Sequence, residues 1–151
     1  MGPHGLRYTS ADTLEKQQQY VEKQTVLLGT DLTYFKRVYR FTFGCAKEPN
    51  QKALSLQDAL VYWSMIFGPP GISIASGNTD WLEEWKSFLD AKWAKSVNKD
   101  MWNQTLEFFV KAKEDDSLSF WSEDSAWPGV IDDFVLWIKE KRGEGEKMEM
   151  D

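Results

Sequence analysis

Apolar residues recur along most of this chain at three- and four-residue spacing, the signature of helices that bury one face. Leu14, Val21 and Leu28 lie on one stripe, with Asp12-Thr-Leu-Glu15 as a capping box and Gly29 as a closing residue. A second helix starts at Thr30 or Asp31. Phe35, Val38, Tyr39, Thr42 and Ala46 keep the helical spacing, and Tyr34, Phe41 and Cys45 widen the face. Lys47–Leu54 contains Pro49-Asn50 and reads as a loop. Ser55-Leu-Gln-Asp58 opens a third helix, with Leu56, Ala59, Leu60, Trp63 and Phe67 inward, and Gly68-Pro-Pro-Gly71 stops it. Residues 72–79 look irregular, although Ile72 and Ile74 can form a short extended piece. Asn78 or Thr79 is the expected cap of a fourth helix carrying Leu82, Trp85, Leu89 and Trp93. A fifth begins near Asn98, holds Asp100 in its first turn, and turns Trp102, Leu106, Phe109 and Val110 inward. Glu114-Asp-Asp-Ser117 breaks it, and a long connection follows. Pro128 suits the first position of a last helix, with Ile131, Phe134, Val135 and Ile138 inward. Lys139, Lys141 and Arg142 complement the dipole at its end, before Gly143. Six helices and no convincing strand predict an all-α domain, a compact bundle.

Composition narrows the class. The 151 residues suffice for one domain with a sizeable core. Met1 to Tyr8 lacks periodicity and reads as an added leader, so the helical domain is expected over residues 9–142. Residues 143–151 read as a disordered acidic tail. No apolar run approaches the ~18–20 residues a spanning helix needs, and no secretory signal is recognisable. Eight Trp and nine Phe point to a core packed by large rings. The net charge is −6, of which the tail supplies −3 through Glu144, Glu146, Glu149 and Asp151 against Lys147. An acidic body disfavours phosphate-backbone binding and favours a basic protein partner. The basic cluster Lys36, Arg37 and Arg40 reads as a solvated helix face, so no nucleic-acid partner is expected.

Catalytic and metal chemistry find little support. One Cys and one His cannot make a zinc site or a nucleophile–base pair, so neither a metal nor another cofactor is expected. Cys45, in an apolar helical setting, reads as a packed core thiol rather than an acceptor of a thioester. Gly68–Gly71 contains two prolines and lacks the N–H donors of a phosphate loop. Asp115-Asp116 and Glu123-Asp124 do not match a calcium loop. They leave a small carboxylate-dependent hydrolase as one rival reading, and a helical interaction module of another pathway as a second. The stretch Ala126-Trp127-Pro128 is different. Trp127 is an anchor, Ala126 leaves a small apolar dimple, and Asp132 and Asp133 add charge one turn on. Asp100 and Asp132 can form one surface over Ala126, or Asp100 can simply favour its helix dipole.

Several separated blocks carry a resemblance. Tyr39-Arg-Phe-Thr-Phe43, Ala46-Lys47, Pro49, Gln51-Lys52, Ala59-Leu-Val-Tyr-Trp63, Lys99-Asp100-Met-Trp102-Asn103 and Ala126-Trp127-Pro128 with Ile131-Asp132-Asp133-Phe134-Val135 resemble the defective-in-cullin-neddylation family. The resemblance runs from about Asp12 to Lys141 and looks like the C-terminal part of that family's potentiating-neddylation domain. It implies a monomeric, non-catalytic co-ligase of the nucleus and cytoplasm. Such a protein binds the C-terminal winged-helix region of a cullin and the conjugating enzyme charged with the ubiquitin-like modifier. Its cullin-binding set falls on Asp100, Ala126 and Asp132. Its apolar groove for the acetylated N-terminus of the conjugating enzyme falls in part on Cys45, Tyr62 and Met65, which core packing would explain equally well. The resemblance assigns no role to Gly68–Asp80, which is longer here.

Overall fold

The computed structural model describes the backbone of Ser10–Met150 and the side chains of residues 13–143. The leader expected at residues 1–8 lies outside this range. Among the described residues there are six α-helices: α1 Ser10–Thr30, α2 Leu32–Ala46, α3 Leu56–Ile66, α4 Trp81–Phe88, α5 Lys99–Glu114 and α6 Gly129–Met150. A π-helical turn, Leu89–Trp93, extends α4.

The fold is mostly helical but not strictly all-α. Strand β1 (Ala53–Leu54) pairs antiparallel with β4 (Val97–Asn98), and β2 (Ala75–Ser76) with β3 (Thr79–Asp80). Two-residue strands are too short to show period-two alternation, so hydrophobic patterning could not reveal them. The second ladder is a tight hairpin turning through Gly77, whose φ of +48° suits glycine. The extended piece therefore lies just after Ile74, which is itself buried in the core.

Capping explains most helix starts. Asp31, Ser55 and Asn98 accept hydrogen bonds from the backbone N–H groups of Tyr34, Asp58 and Met101 at 3.1, 3.1 and 2.8 Å. The cap of α4 is Asp80, bonded to the N–H of Glu83 at 3.2 Å, rather than Asn78 or Thr79. Thr79 is instead a strand residue whose hydroxyl accepts from Arg142 at 3.1 Å. Pro128 stands one residue before α6, and its carbonyl accepts from the N–H groups of Ile131 and Asp132. At the other end α6 continues past Gly143, the expected close. Each of Gly143 and Gly145 costs the helix about 1 kcal/mol, and Glu144, Glu146 and Lys147 around them are good helix formers.

The stripe of α1 departs most from expectation. Leu28 packs on the core, but Leu14 and Val21 are exposed, as are Tyr20 and Val26. A correct helical period locates an apolar face without saying what covers it.

The centre of the core is a stack of three rings from α2, α3 and α5. Tyr39 and Trp102 stack at 4.6 Å between centroids, and Trp63 stacks on Trp102 at 5.2 Å. The Tyr39 hydroxyl donates to the Trp102 carbonyl at 2.6 Å and accepts from Trp63 Nε1 at 2.8 Å. Trp102 Nε1 donates back to the Tyr39 carbonyl at 2.9 Å. Every polar atom of these buried rings is thus paired, as burial demands. Burial holds the Tyr39 phenol well above its usual pKa, against a smaller opposing effect of the Trp63 hydrogen bond. Below pH of about 10 the phenol is protonated in folded and unfolded chains alike, and its contribution is complete. Above that value the unfolded chain alone ionises, so stability should fall as pH rises. Melting temperatures measured between pH 8 and 11 should decline less steeply in Tyr39→Phe than in the parent.

The long segment after α3 forms a clamp. Ser76 Oγ accepts from Trp81 Nε1 and donates to Asp116 Oδ1, both at 2.7 Å. Arg142 donates to the Asp116 carbonyl at 2.8 Å and to its carboxylate at 3.2 Å, and lies over the Trp81 ring. The Gly68–Asp80 segment therefore ties the start of α4 to the α5–α6 connection and to α6.

Candidate functional site

The site begins with the two elements that fix the start of α5. Val97 and Asn98 pair with β1, and Asn98 caps the helix, so Asp100 lies in the first turn with its side chain exposed. Buried Met101 and Trp102 hold this turn against the core. The first turn of α6 comes alongside. Asp100 and Met101 line an open depression of about 330 Å³ with Pro128, Val130 and Asp133, and with Trp93 from the π turn.

The α5–α6 connection supplies the rest. Trp127 packs edge-on against Phe108 and Phe120, at 5.7 and 6.2 Å between centroids. Ser122 and Ser125 close a turn on each other, leaving Ala126 exposed between that turn and the anchored Trp127. Asp132 is half-buried, and its Oδ1 accepts from Trp121 Nε1 at 2.9 Å. The predicted trio thus stands as follows. Asp100 meets the start of α6, Ala126 leads into that start, and Asp132 is braced by Trp121. Among the described residues no hydrogen bond or ion pair links the three side chains. Sequence reasoning missed Trp121, whose partner lies 11 positions away with no spacing rule to connect them. It also missed Trp93, which only the wider π turn sets beside Asp133.

The residues assigned to the second site are largely surface residues. Cys45 is exposed and Met65 is 66% exposed, while Tyr62 is half-buried against the core. The packed-core reading of Cys45 is therefore wrong. The buried face of α2 is Phe35, Tyr39 and Phe43, and two residues beyond Phe43 the helix has turned by about 200°. Phe41 with Cys45 and Val61 with Met65 form two exposed apolar i, i+4 pairs, on α2 and α3.

Other charged groups have structural employment. Asp115 accepts from the backbone and hydroxyls of Ser117 and Ser119, and those bonds lower its carboxyl pKa. Asp116 is held by Ser76 and Arg142. Half-buried Lys36 and exposed Arg40 pair with Glu107 on α5 at 3.2 and 3.3 Å, and exposed Arg37 lies over the Tyr34 ring, so only part of this cluster is a solvated face. Among the described residues no group of three or more His, Cys, Asp or Glu is placed to hold a metal ion. No described helix is long and apolar enough to cross a membrane.

An acidic rim around apolar anchors on a helical fold is the make-up of a protein-docking domain. Family comparison makes this specific: residues 16–137 match the Cullin binding family, and the chain belongs to it. It is 44% identical over 146 residues to the Defective in cullin neddylation protein 1 of Pyricularia oryzae, covering 89% of this chain and 52% of that protein. It is 31% identical over 136 residues to the protein of the same name from Yarrowia lipolytica, covering 90% and 53%. The DCN1-like protein 3 of Drosophila melanogaster is 31% identical over 138 residues, covering 91% and 38%. The chain thus spans about half the length of the first two relatives and less of the third.

Proposed function

We propose that this chain is the cullin-docking part of a neddylation co-ligase. The observation that carries the reading is the family match across α1 to α6, within which α5 and α6 bring their first turns together around Asp100. Asp100, Ala126 and Asp132 contact the C-terminal winged-helix region of the cullin. Two carboxylates and a small exposed residue suit a basic surface; Trp121 holds the Asp132 carboxylate and Trp127 is anchored on Phe108 next to Ala126. The domain itself contributes no acid, base or nucleophile. It accelerates transfer of the modifier by holding the cullin and the charged conjugating enzyme together, an effect that proximity and orientation can supply unaided. The acetylated N-terminus of the conjugating enzyme belongs to the same proposal, at Cys45, Tyr62 and Met65. The exposure of Cys45 and Met65 supports this, since a buried pair could not touch a partner. The protein acts as a monomer in the nucleus and cytoplasm.

Calorimetry against a cullin C-terminal domain tests the patch. Ala126→Arg fills the dimple and repels a basic surface, and Asp132→Lys reverses a central charge. Each should weaken binding by about 2 kcal/mol or more, roughly 30-fold, and slow cullin neddylation in parallel. Affinity of the parent should fall with added salt. Unchanged affinity in Ala126→Arg, whose exposed side chain leaves the core untouched, would remove the patch from the interface.

A further inference from the structure

The depression at Asp100 does not end there. It shares Trp93 and Asp133 with a second hollow of about 340 Å³, which shares Trp137 and Glu140 with a third of about 240 Å³. Together they make a shallow groove along α6. Asp133, Leu136, Trp137 and Glu140 follow one another at i, i+3, i+4 and i+7, so one helix face about 10 Å long forms a wall. Leu136 on this wall is 50% exposed. The opposite wall is Lys92 and Trp93, from the π turn that ends in Ala94 at φ 52°. A π turn and a left-handed non-glycine residue both cost backbone energy, and both shape this wall.

The lining has a definite chemistry. Carboxylates of Asp100, Asp133 and Glu140 alternate with the apolar surfaces of Trp93, Leu136 and Trp137. Lys92 opposes them, and Lys141 at the far end is already bound by Glu84 at 2.8 Å. The chain's own Lys95 and Lys141 lie over Trp93 and Trp137, each 5.1 Å from a ring centroid, so both indoles attract cations.

We infer that this groove receives an extended basic segment of the cullin, continuous with the surface that meets Asp100. The inference rests on the cullin reading above. A large apolar side chain of that segment sits against Trp93 and Leu136, and flanking lysines or arginines face Asp133 and Glu140. Three lining carboxylates face two lining lysines, of which Lys141 is already bound by Glu84, so the groove favours a basic occupant over an acidic one, and a second copy of this chain, at net −6, matches it less well.

The test is calorimetry of this chain against a cullin C-terminal domain, with Asp132→Lys and Ala126→Arg beside two groove variants. Leu136→Arg should weaken binding at least tenfold. Asp133→Asn should weaken it about threefold and make it less sensitive to salt. Both altered side chains are exposed, and matched melting curves check the fold; if Leu136→Arg melts early, Asp133→Asn decides. Loss of binding in the patch variants with Leu136→Arg and Asp133→Asn within twofold of the parent overturns the groove assignment alone. Unchanged affinity in both patch variants overturns the cullin reading, and the groove assignment with it. A dimer in sedimentation that Leu136→Arg dissociates would give the groove to a second copy and also overturn it.

Discussion

Trp102→Ala should cost about 3–5 kcal/mol of stability, a large fraction of the roughly 5–15 kcal/mol that holds a typical domain folded. Trp102 is fully buried and stacks on both Tyr39 and Trp63, so its removal opens a cavity between α2, α3 and α5 at once. The Nε1 bond to the Tyr39 carbonyl goes with it. Urea unfolding followed by far-ultraviolet circular dichroism measures the change as a lower midpoint with a similar slope. The substitution also reaches the site. Asp100 is two residues away in the same first turn, and Met101 and Trp102 are what anchor that turn to the core. Cullin affinity should therefore fall even at temperatures where Trp102→Ala remains folded. Trp102→Phe keeps a ring in the stack and should retain much of both. A variant that lost stability but bound the cullin as well as the parent would show that the first turn of α5 is held by its cap and strand alone.

Gly71→Ala should be nearly as damaging, for a steric reason. A Cβ at residue 71 would lie 2.1 Å from the Ile66 carbonyl oxygen and 3.2 Å from Phe35 Cε2. The closer obstacle is backbone in the last turn of α3, which no rotamer change can relieve. Gly71 also donates to the Gly68 carbonyl at 2.6 Å, so the turn cannot simply swing away. A loss of more than about 3 kcal/mol is expected. Gly77→Ala is the contrast. Its φ is positive but the space around it is open, so only the backbone penalty of about 1 kcal/mol applies. Thermal melting of the two variants side by side separates crowding from conformational strain. Equal and small losses would mean that the turn after α3 is more pliable than its packing suggests.

Helix number and the inward faces of α2 to α6 were legible because each helix carries a face-wide period and an end signal. Asp31, Ser55 and Asn98 illustrate this: each is a short polar residue just before an apolar stripe, and each makes its capping bond. The cap of α4 was misplaced by one or two residues because the hairpin recruits both Thr79 and Asp80 into a strand, which delays the helix to Trp81. Such recruitment depends on Ser76 across the turn rather than on local propensity. Cys45 was misplaced for a related reason. The apolar face of α2 is wider than the part the core covers, and periodicity alone cannot divide the covered positions from the exposed ones.

The sequence by itself determined the residue chemistry of the candidate patch and the local starts that carry it, since a cap and a proline act within a few positions. Only the tertiary structure decided that the first turns of α5 and α6 meet, that Trp121 braces Asp132, and that a π turn extends the depression into a groove. Those relations join residues on separate elements. They follow from how the Tyr39–Trp63–Trp102 stack and the rings around Phe134 pack, a collective condition that no single stretch of chain encodes.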